Sequence, residues 1–590
     1  MDPTALRTAV SQLSDDFAWL EDHVRARANH EMQLGALRLA AALVRNVLGP
    51  ALEKQPSLPL HIAVVGGAGA GKSTVSNMLM GSMQAESNPQ AGFTRHPIAY
   101  LKGNAEFALP ATAGFMGPLR RLDQAESARL DHDVWQVRRV SVDAEQLSLL
   151  DQFVIWDCPD MTTWAATGYV PRLLEVCGLA DVVVYVASDE RYNDEVPTQY
   201  LRLLLEAGKT VVVMLMKMRA TEVPAFITHF MKEVVGKLPT RPVAVMATPQ
   251  LSYEQLADPI AKAMDYRVPL LNQILVLGNP ADTARKRTLH SAIKFLREGQ
   301  TKLLSAARAD LEAIDAWRSA VQLGQSEFEG RYRREYLTSE QFRRFDEALV
   351  RLLELLELPG VGRFFSTAVN IVTLPITWAK NWFVKAIAPP RSPAMPERPV
   401  LEGALAAWSD GLRREAAGKA EGHPLWKHVN EGFRQGLDRE LKQRFEGSVG
   451  GFQASLHQEV DRCARAIYED LQTSPVALNT LRGAKFSLQI AAIVMPFFTL
   501  GFSNVLNFIL VPLSAAVTGQ LVELLGSRYV EYRREETRSR QAAMMSAQVS
   551  TPLADWLLRW PTSGGSIYEK LQQVLRRIPQ NLDAVQAALK

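Results

Sequence analysis

Between Leu60 and about Ala247, short apolar runs of β type alternate with segments whose apolar side chains recur every three to four residues. The strand-like runs are Leu60–Val65, Ile98–Leu101, Trp135–Val142, Phe153–Trp156, Asp181–Val186, Thr210–Leu215 and Pro242–Met246. Helical patterns over Tyr169–Leu179, Val196–Glu206 and Val223–Lys237 fit between several of them. This alternation predicts an α/β domain built on a mostly parallel sheet.

The flanks read as helical. Asp2 before Pro3 is a helix start, and Leu6, Val10, Leu13, Phe17, Leu20 and Val24 follow in steps of four and three. That seam predicts a helix packed on other helices of the same chain, with an intermolecular coiled coil as the alternative. A second helix is expected over Glu31–Leu48, ahead of Gly49-Pro50 and Gln55-Pro56. After about Asp258 the pattern is helical almost throughout. Thr338-x-x-Gln341 reads as a capping box ahead of Phe342, Phe345, Leu349, Leu352, Leu353 and Leu356, with Pro359-Gly360 as the stop. The proline-rich stretch from Pro389 to Pro399 reads as a linker.

The loudest break in the polar pattern comes late. No charged residue occurs between Lys485 and Glu523, so Phe486 to Val522 forms an uncharged run. A bilayer core needs about 20 helical residues. The run is too long for one crossing and suits a hairpin of two short ones, broken near Gly501-Phe502-Ser503-Asn504. Arg482 and Lys485 precede it and Arg528, Arg533 and Arg534 follow, which puts both ends on the cytosolic face. Gln489, Pro496, Asn504, Asn507, Pro512 and Gln520 inside it also suit a re-entrant hairpin, and a buried core hairpin is the alternative. A shorter apolar stretch, 364–379, with Trp378 and Trp382 near lysines, suits an interfacial segment or a core helix.

A chain of 590 residues exceeds one hydrophobic core. The expected plan is N-terminal helices over 1–56 packing on the helical domain, a P-loop domain over 57–280, and a helical domain over 281–388. A linker over 389–400 and a helical domain over 401–590 complete it. Net charge is only +3, which gives no global reason to expect a nucleic-acid partner. Three cysteines make no disulfide framework, and no His/Cys cluster has zinc spacing. The charged N-terminal segment has no apolar leader-like core, so the expected location is the cytoplasm or the cytoplasmic face of a membrane.

Gly66-Gly67-Ala68-Gly69-Ala70-Gly71-Lys72-Ser73-Thr74 stands between the first strand and a helical pattern, and fits G-x-x-x-x-G-K-[ST]. Glycines let the backbone wrap a polyphosphate with its N–H groups pointing inward. The helix N-terminus adds positive potential. Lys72 can reach the β- and γ-phosphates and the Ser73 hydroxyl can ligate Mg²⁺. Thr94, 22 residues after Lys72, is placed for a switch that gives Mg²⁺ a second hydroxyl. Asp157 ends a strand, where a carboxylate sits beside the phosphate loop and can hold the metal through water.

Gly66-to-Thr74, Thr94-Arg95-x-Pro97 and Asp157-x-Pro159-x-Met161-Thr162 together resemble the dynamin superfamily of large GTPases. The helix before the P-loop domain, the long helices after it and the late apolar hairpin are similar to bacterial dynamin-like proteins and mitofusins. The resemblance implies GTP with Mg²⁺ and hydrolysis by positioning and charge neutralisation. It also implies self-association through the nucleotide domains and a lipid membrane as partner. Lys72 and Thr94 would be catalytic, Ser73, Thr94 and Asp157 would hold the metal, and Lys217 would lay its stem along the base.

Departures accompany the match. The glycine expected after Pro159 is Asp160, which brings a negative charge near the γ-phosphate position. Ala68 and Gly69 stand where dynamins carry polar residues that help catalysis. The base-reading element [N/T]-K-x-D is replaced by Met216-Lys217-Met218-Arg219, and Arg219 has only donors. Glu222 is a candidate substitute acceptor, Arg95 a candidate arginine finger, and Ala247-Thr248-Pro249 a candidate base-flanking loop. Three readings stay open: a dynamin-like GTPase, a weakly hydrolysing membrane-attached switch or scaffold, and an ATPase.

Overall fold

Runs of Val, Ile and Leu that are buried on both faces form the centre of the sheet, as parallel strands covered by helices require. The strands are β1 (Leu60–Gly66), β2 (Ile98–Lys102), β3 (Arg120–Leu122), β4 (Val134–Val140), β5 (Phe153–Asp157), β6 (Val182–Ser188), β7 (Thr210–Met218) and β8 (Ala244–Pro249). The computed structural model describes residues 3–25, 31–52, 59–86, 94–103, 109, 114–122, 133–142, 146–161, 166–190, 192–340, 342–356, 395–499, 506–562 and 566–589. Its eight-stranded sheet has the order β3-β4-β2-β5-β1-β6-β7-β8. Among the described strands only the β2–β5 pair is antiparallel. Each expected run overlaps a strand, although Ser141 and Val142, Asp181, and Pro242 and Val243 fall outside them. The addition is β3, a short piece with two exposed arginines and no apolar run to announce it.

The chain divides into two units, Met1–Ala309 with Lys570–Lys590, and Asp310–Glu569. The boundaries of these units differ from those of the expected plan. The P-loop domain's unit extends past 280 to Ala309, and the end of the expected 401–590 domain belongs with it. The N-terminal helices also join this unit. On the helix Pro3–Arg25, Leu13, Phe17, Leu20 and Val24 are buried, as the seam requires. Arg45, just after the helix Glu31–Leu43, grips Glu175 of the helix Ala166–Leu179 with Nε to Oε1 at 3.0 Å and Nη2 to Oε2 at 2.7 Å. The C-terminal helix Ser566–Leu589 runs antiparallel to the first helix. Arg577 Nε donates to Asp16 at 2.8 Å, and Asn581 Nδ2 to Gln12 at 3.1 Å. A pairing between opposite ends of the chain leaves no local sequence signal.

The second unit is helical, with the 36-residue helix Leu437–Gln472 among its elements. Trp317, Phe328, Trp408, Phe445, Phe452, Ile467 and Leu553 share its core. The expected capping box is not where the next helix begins. Thr338 Oγ1 donates to Arg333 O and Arg334 O at 3.3 and 3.0 Å, closing the turn before it, and the helix starts at Arg344. A threonine hydroxyl donates as readily as it accepts, so the same residue suits either end of a helix. The apolar stripe Phe345, Leu349, Leu352, Leu353 and Leu356 is buried as expected.

The uncharged run forms the helices Ala484–Thr499 and Leu506–Leu525, with 500–505 outside the described residues. Among the described residues no helix is long and apolar enough to cross a membrane, which corrects the expectation of two crossings. At about 1.5 Å per residue the first rises about 24 Å, short of a hydrocarbon core of about 30 Å. Phe486, Ile490, Leu513, Val517 and Leu521 are buried in the core, whereas Leu488 and Val511 are exposed. The apolar stretch 364–379 lies outside the described residues, as do 389–394 of the expected linker. Its last residues, from Arg398, already form the helix Arg398–Lys419.

Candidate nucleotide site

The site is assembled at the C-terminal ends of β1, β5 and β7, where strand order turns and ligands bind in open α/β sheets. The chain leaves β1 at Gly66 with φ of 156°. A Cβ there would lie 2.1 Å from Val186 O of β6, so no other residue fits. Gly71 sets the entry to the helix Lys72–Met80 with φ of 105°, a left-handed conformation that glycine adopts without strain. A Cβ on it would be 3.5 Å from Met216 Cε, so the end of β7 packs against the loop. Between these hinges Gly69 is exposed while Gly67, Ala68 and Ala70 are buried. The loop hands over to the helix N-terminus, which presents Lys72, Ser73 and Thr74.

Lys72 is buried. Its ammonium donates to Gly67 O at 3.0 Å and pairs with Asp160. Ser73 Oγ donates to Asp157 Oδ2 at 3.0 Å, and Ser76 Oγ, one turn later, to Oδ1 at 3.4 Å. Burial raises the Asp157 carboxyl to about 6, against the opposing pull of Lys72, Ser73 and Ser76. A hydroxyl and a carboxylate side by side are the hard oxygen donors that Mg²⁺ takes beside phosphate oxygens. The described residues therefore fit the metal. Ser76 escaped the sequence reading, although its i+3 spacing from Ser73 on one helix face could have shown it.

Thr94 is half-buried in the segment leading into β2. The β2–β5 register sets Ile98 opposite Asp157, so this segment arrives at the strand end that carries the carboxylate. Its backbone is held by Arg172, whose Nη1 donates to Arg95 O at 2.9 Å. The Arg95 side chain is exposed.

The base end is built differently. Lys217 is exposed, with φ of 69° at a bulge where the β7–β8 register shifts between Met216 and Met218. Arg219 is 81% exposed and faces Glu222, itself 59% exposed, at 3.5 Å. Glu222 is thus engaged with the residue it was expected to replace. Ala247-Thr248-Pro249 lies in β8 beside this element, and the buried Thr248 hydroxyl has no hydrogen-bond partner.

Residues 61–217, from β1 to Lys217, match the model of a family described as 50S ribosome-binding GTPase. With the loop geometry above, this stretch is a P-loop GTPase domain. No curated protein matches the chain. Among solved structures, one of Era in complex with MgGDPNP and nucleotides 1506–1542 of 16S ribosomal RNA is similar at 16% identity and a TM-score of 0.22. That likeness covers 36% of this chain and 57% of the other, so the chain spans little more than half of it. Two structures concern an oligomerised bacterial dynamin pair said to provide a mechanism for long-range sensing and tethering of membranes. One matches at 10% identity and a TM-score of 0.36, covering 97% of this chain and 98% of that one. The other matches at 11% and 0.30, covering 100% and 81%.

Proposed function

We propose that the chain is a dynamin-like GTPase that binds Mg–GTP, hydrolyses it, and couples that cycle to a membrane surface on the cytoplasmic side, held permanently or reversibly. The observation that carries this reading is the Ser73–Asp157 contact at 3.0 Å beside the buried Lys72, at one helix N-terminus. Lys72 would neutralise phosphate charge. Ser73 and Thr94 would ligate Mg²⁺, and Asp157 would hold it through water. The metal supplies charge neutralisation between the phosphates when bound. Catalysis would rest on positioning and electrostatics rather than on a general base. Self-association through the nucleotide domains is part of the reading.

Membrane contact is supported by the exposed Leu488 and Val511 on the helices of the uncharged run. The weakly hydrolysing switch is the second reading, favoured by the Lys72–Asp160 pair. ATP stays the alternative nucleotide because Arg219 offers guanine no acceptor.

Turnover of GTP and ATP by the full chain, with and without anionic vesicles, tests the proposal. GTP turnover raised by vesicles, and lowered again in Leu488→Glu/Val511→Glu, supports it. Tight GTP binding without stimulated turnover favours the switch, and faster ATP turnover overturns the GTPase reading. The double substitution is preferable to deleting 486–522, which would also remove buried core residues.

A further inference from the structure

The Asp160 carboxylate pairs with the Lys72 ammonium, the cation that a phosphate loop of this sequence offers to a nucleotide's phosphates. Both side chains are nearly out of solvent, 6% exposed for Lys72 and 8% for Asp160. The placement is built in by the backbone. Cys158 N donates to Val64 O at 3.2 Å, and Met161 N to Gly66 O at 3.2 Å, so the segment carrying Asp160 is fastened to β1 on both sides of it. The same ammonium, in a loop of this sequence, serves the β- and γ-phosphates. Two anions then compete for one cation. A buried pair of like charges repels far more strongly than an exposed one.

We propose that Asp160 is an internal stand-in for the terminal phosphate, and that it makes this site prefer nucleoside diphosphates over triphosphates. The inference rests on the nucleotide-binding reading above and adds a specificity-determining residue to it. A diphosphate shares Lys72 with Asp160, because its β-phosphate needs only one side of the ammonium. A triphosphate brings its γ-phosphate against the carboxylate and requires Asp160 to leave Lys72.

Calorimetric titration of the full chain with Mg²⁺ and GDP, GMPPNP, ADP or AMPPNP tests this; each base supplies its own diphosphate–triphosphate comparison. The wild-type chain is expected to bind the diphosphate at least about tenfold more tightly than the triphosphate analogue of the same base. Asp160→Asn keeps the shape and removes the charge. It should raise triphosphate affinity at least about tenfold and move diphosphate affinity less than about threefold. Asp160→Gly should act in the same direction, and thermal melts of both variants confirm that they are folded.

Triphosphate preference in the wild type, or an unchanged ratio in both folded variants, overturns the proposal. Binding of triphosphate only by the variants supports it in its strongest form. If neither the wild type nor the variants bind any nucleotide, the nucleotide-binding reading itself falls, and this inference with it.

Discussion

The Arg344–Glu397 pair and the Lys72–Asp160 pair are both buried, and they differ in how their charges are held. Arg344 meets Glu397 as a fork, with Nε to Oε1 at 2.8 Å and Nη2 to Oε2 at 3.0 Å. The carboxylate also accepts from Tyr336 Oη at 2.8 Å and Gln541 Nε2 at 3.2 Å. Burial opposes the Arg344 charge, yet Glu347 and Glu397 hold it above its ordinary range. Lys72 instead is a point charge that meets a backbone carbonyl and a carboxylate at the mouth of a phosphate loop. A planar fork whose carboxylate is also held by other fixed donors cannot trade its anion without losing several bonds at once. An ammonium with rotatable donors can. The first arrangement staples helices, and the second suits exchange with a ligand.

The largest effect is expected where the staple is cut. Glu397→Ala leaves Arg344 with Glu347 alone at 2.8 Å and should cost about 3 kcal/mol in urea unfolding. Added nucleotide should stabilise this variant by the same increment as the wild type, because the pair lies outside the nucleotide site.

Lys72→Ala should cost about 3 kcal/mol by taking the cation away from a buried carboxylate, and should abolish nucleotide binding. Lys72→Ala/Asp160→Ala should regain most of that stability and none of the binding. Recovery of both would make Lys72 a structural residue like Arg344 and erase the contrast.

A third buried group sharpens the comparison because it is kept neutral instead of paired. His61 Nδ1 accepts from Trp156 Nε1 at 3.1 Å. Burial first, then Arg285 and Lys209, lower its pKa from 6.5 to about 3. The unfolded chain therefore binds the extra proton below about pH 6.5 and the folded chain does not, so this contribution to stability falls as pH drops towards 3. At about 1.4 kcal/mol per pH unit, roughly 2 kcal/mol is lost between pH 6.5 and 5. Urea unfolding across that range measures it, and His61→Asn should flatten the decline.

The smallest effect is expected at the exposed base end. Arg219→Ala should shift stability by less than about 0.5 kcal/mol, since its pairing with Glu222 is solvent-screened. Arg219→Asp supplies the missing acceptor and should raise the ratio of GTP to ATP affinity, read by competition with a fluorescent nucleotide. An unchanged ratio would place base recognition elsewhere.

These pairs also mark what the residues alone could reveal. The central strands β1, β5, β6 and β7 are legible because burial on both faces demands unbroken apolar runs, and the phosphate loop because Gly66, Gly71, Lys72 and Ser73 each meet a separate requirement. The contact of Lys72 with Asp160 joins residues 88 positions apart. From the sequence, Asp160 was visible only as a departure from a motif, with nothing to show that it closes on the lysine. Asp16 and Arg577 lie farther apart still, and each reads as an ordinary solvated charge on an amphipathic helix. Thr338 carries an ambiguous signal because one hydroxyl serves either helix end. Missing charges mark the uncharged run in the sequence, but which face each residue turns to the core depends on packing.

The most direct test is calorimetric titration of Mg–GDP into the full wild-type chain and into Lys72→Ala. Saturable binding by the wild type that disappears in a folded Lys72→Ala chain is the predicted result. Equal binding by the two, or none by the wild type, would contradict the assignment of Gly66–Thr74 as the phosphate site.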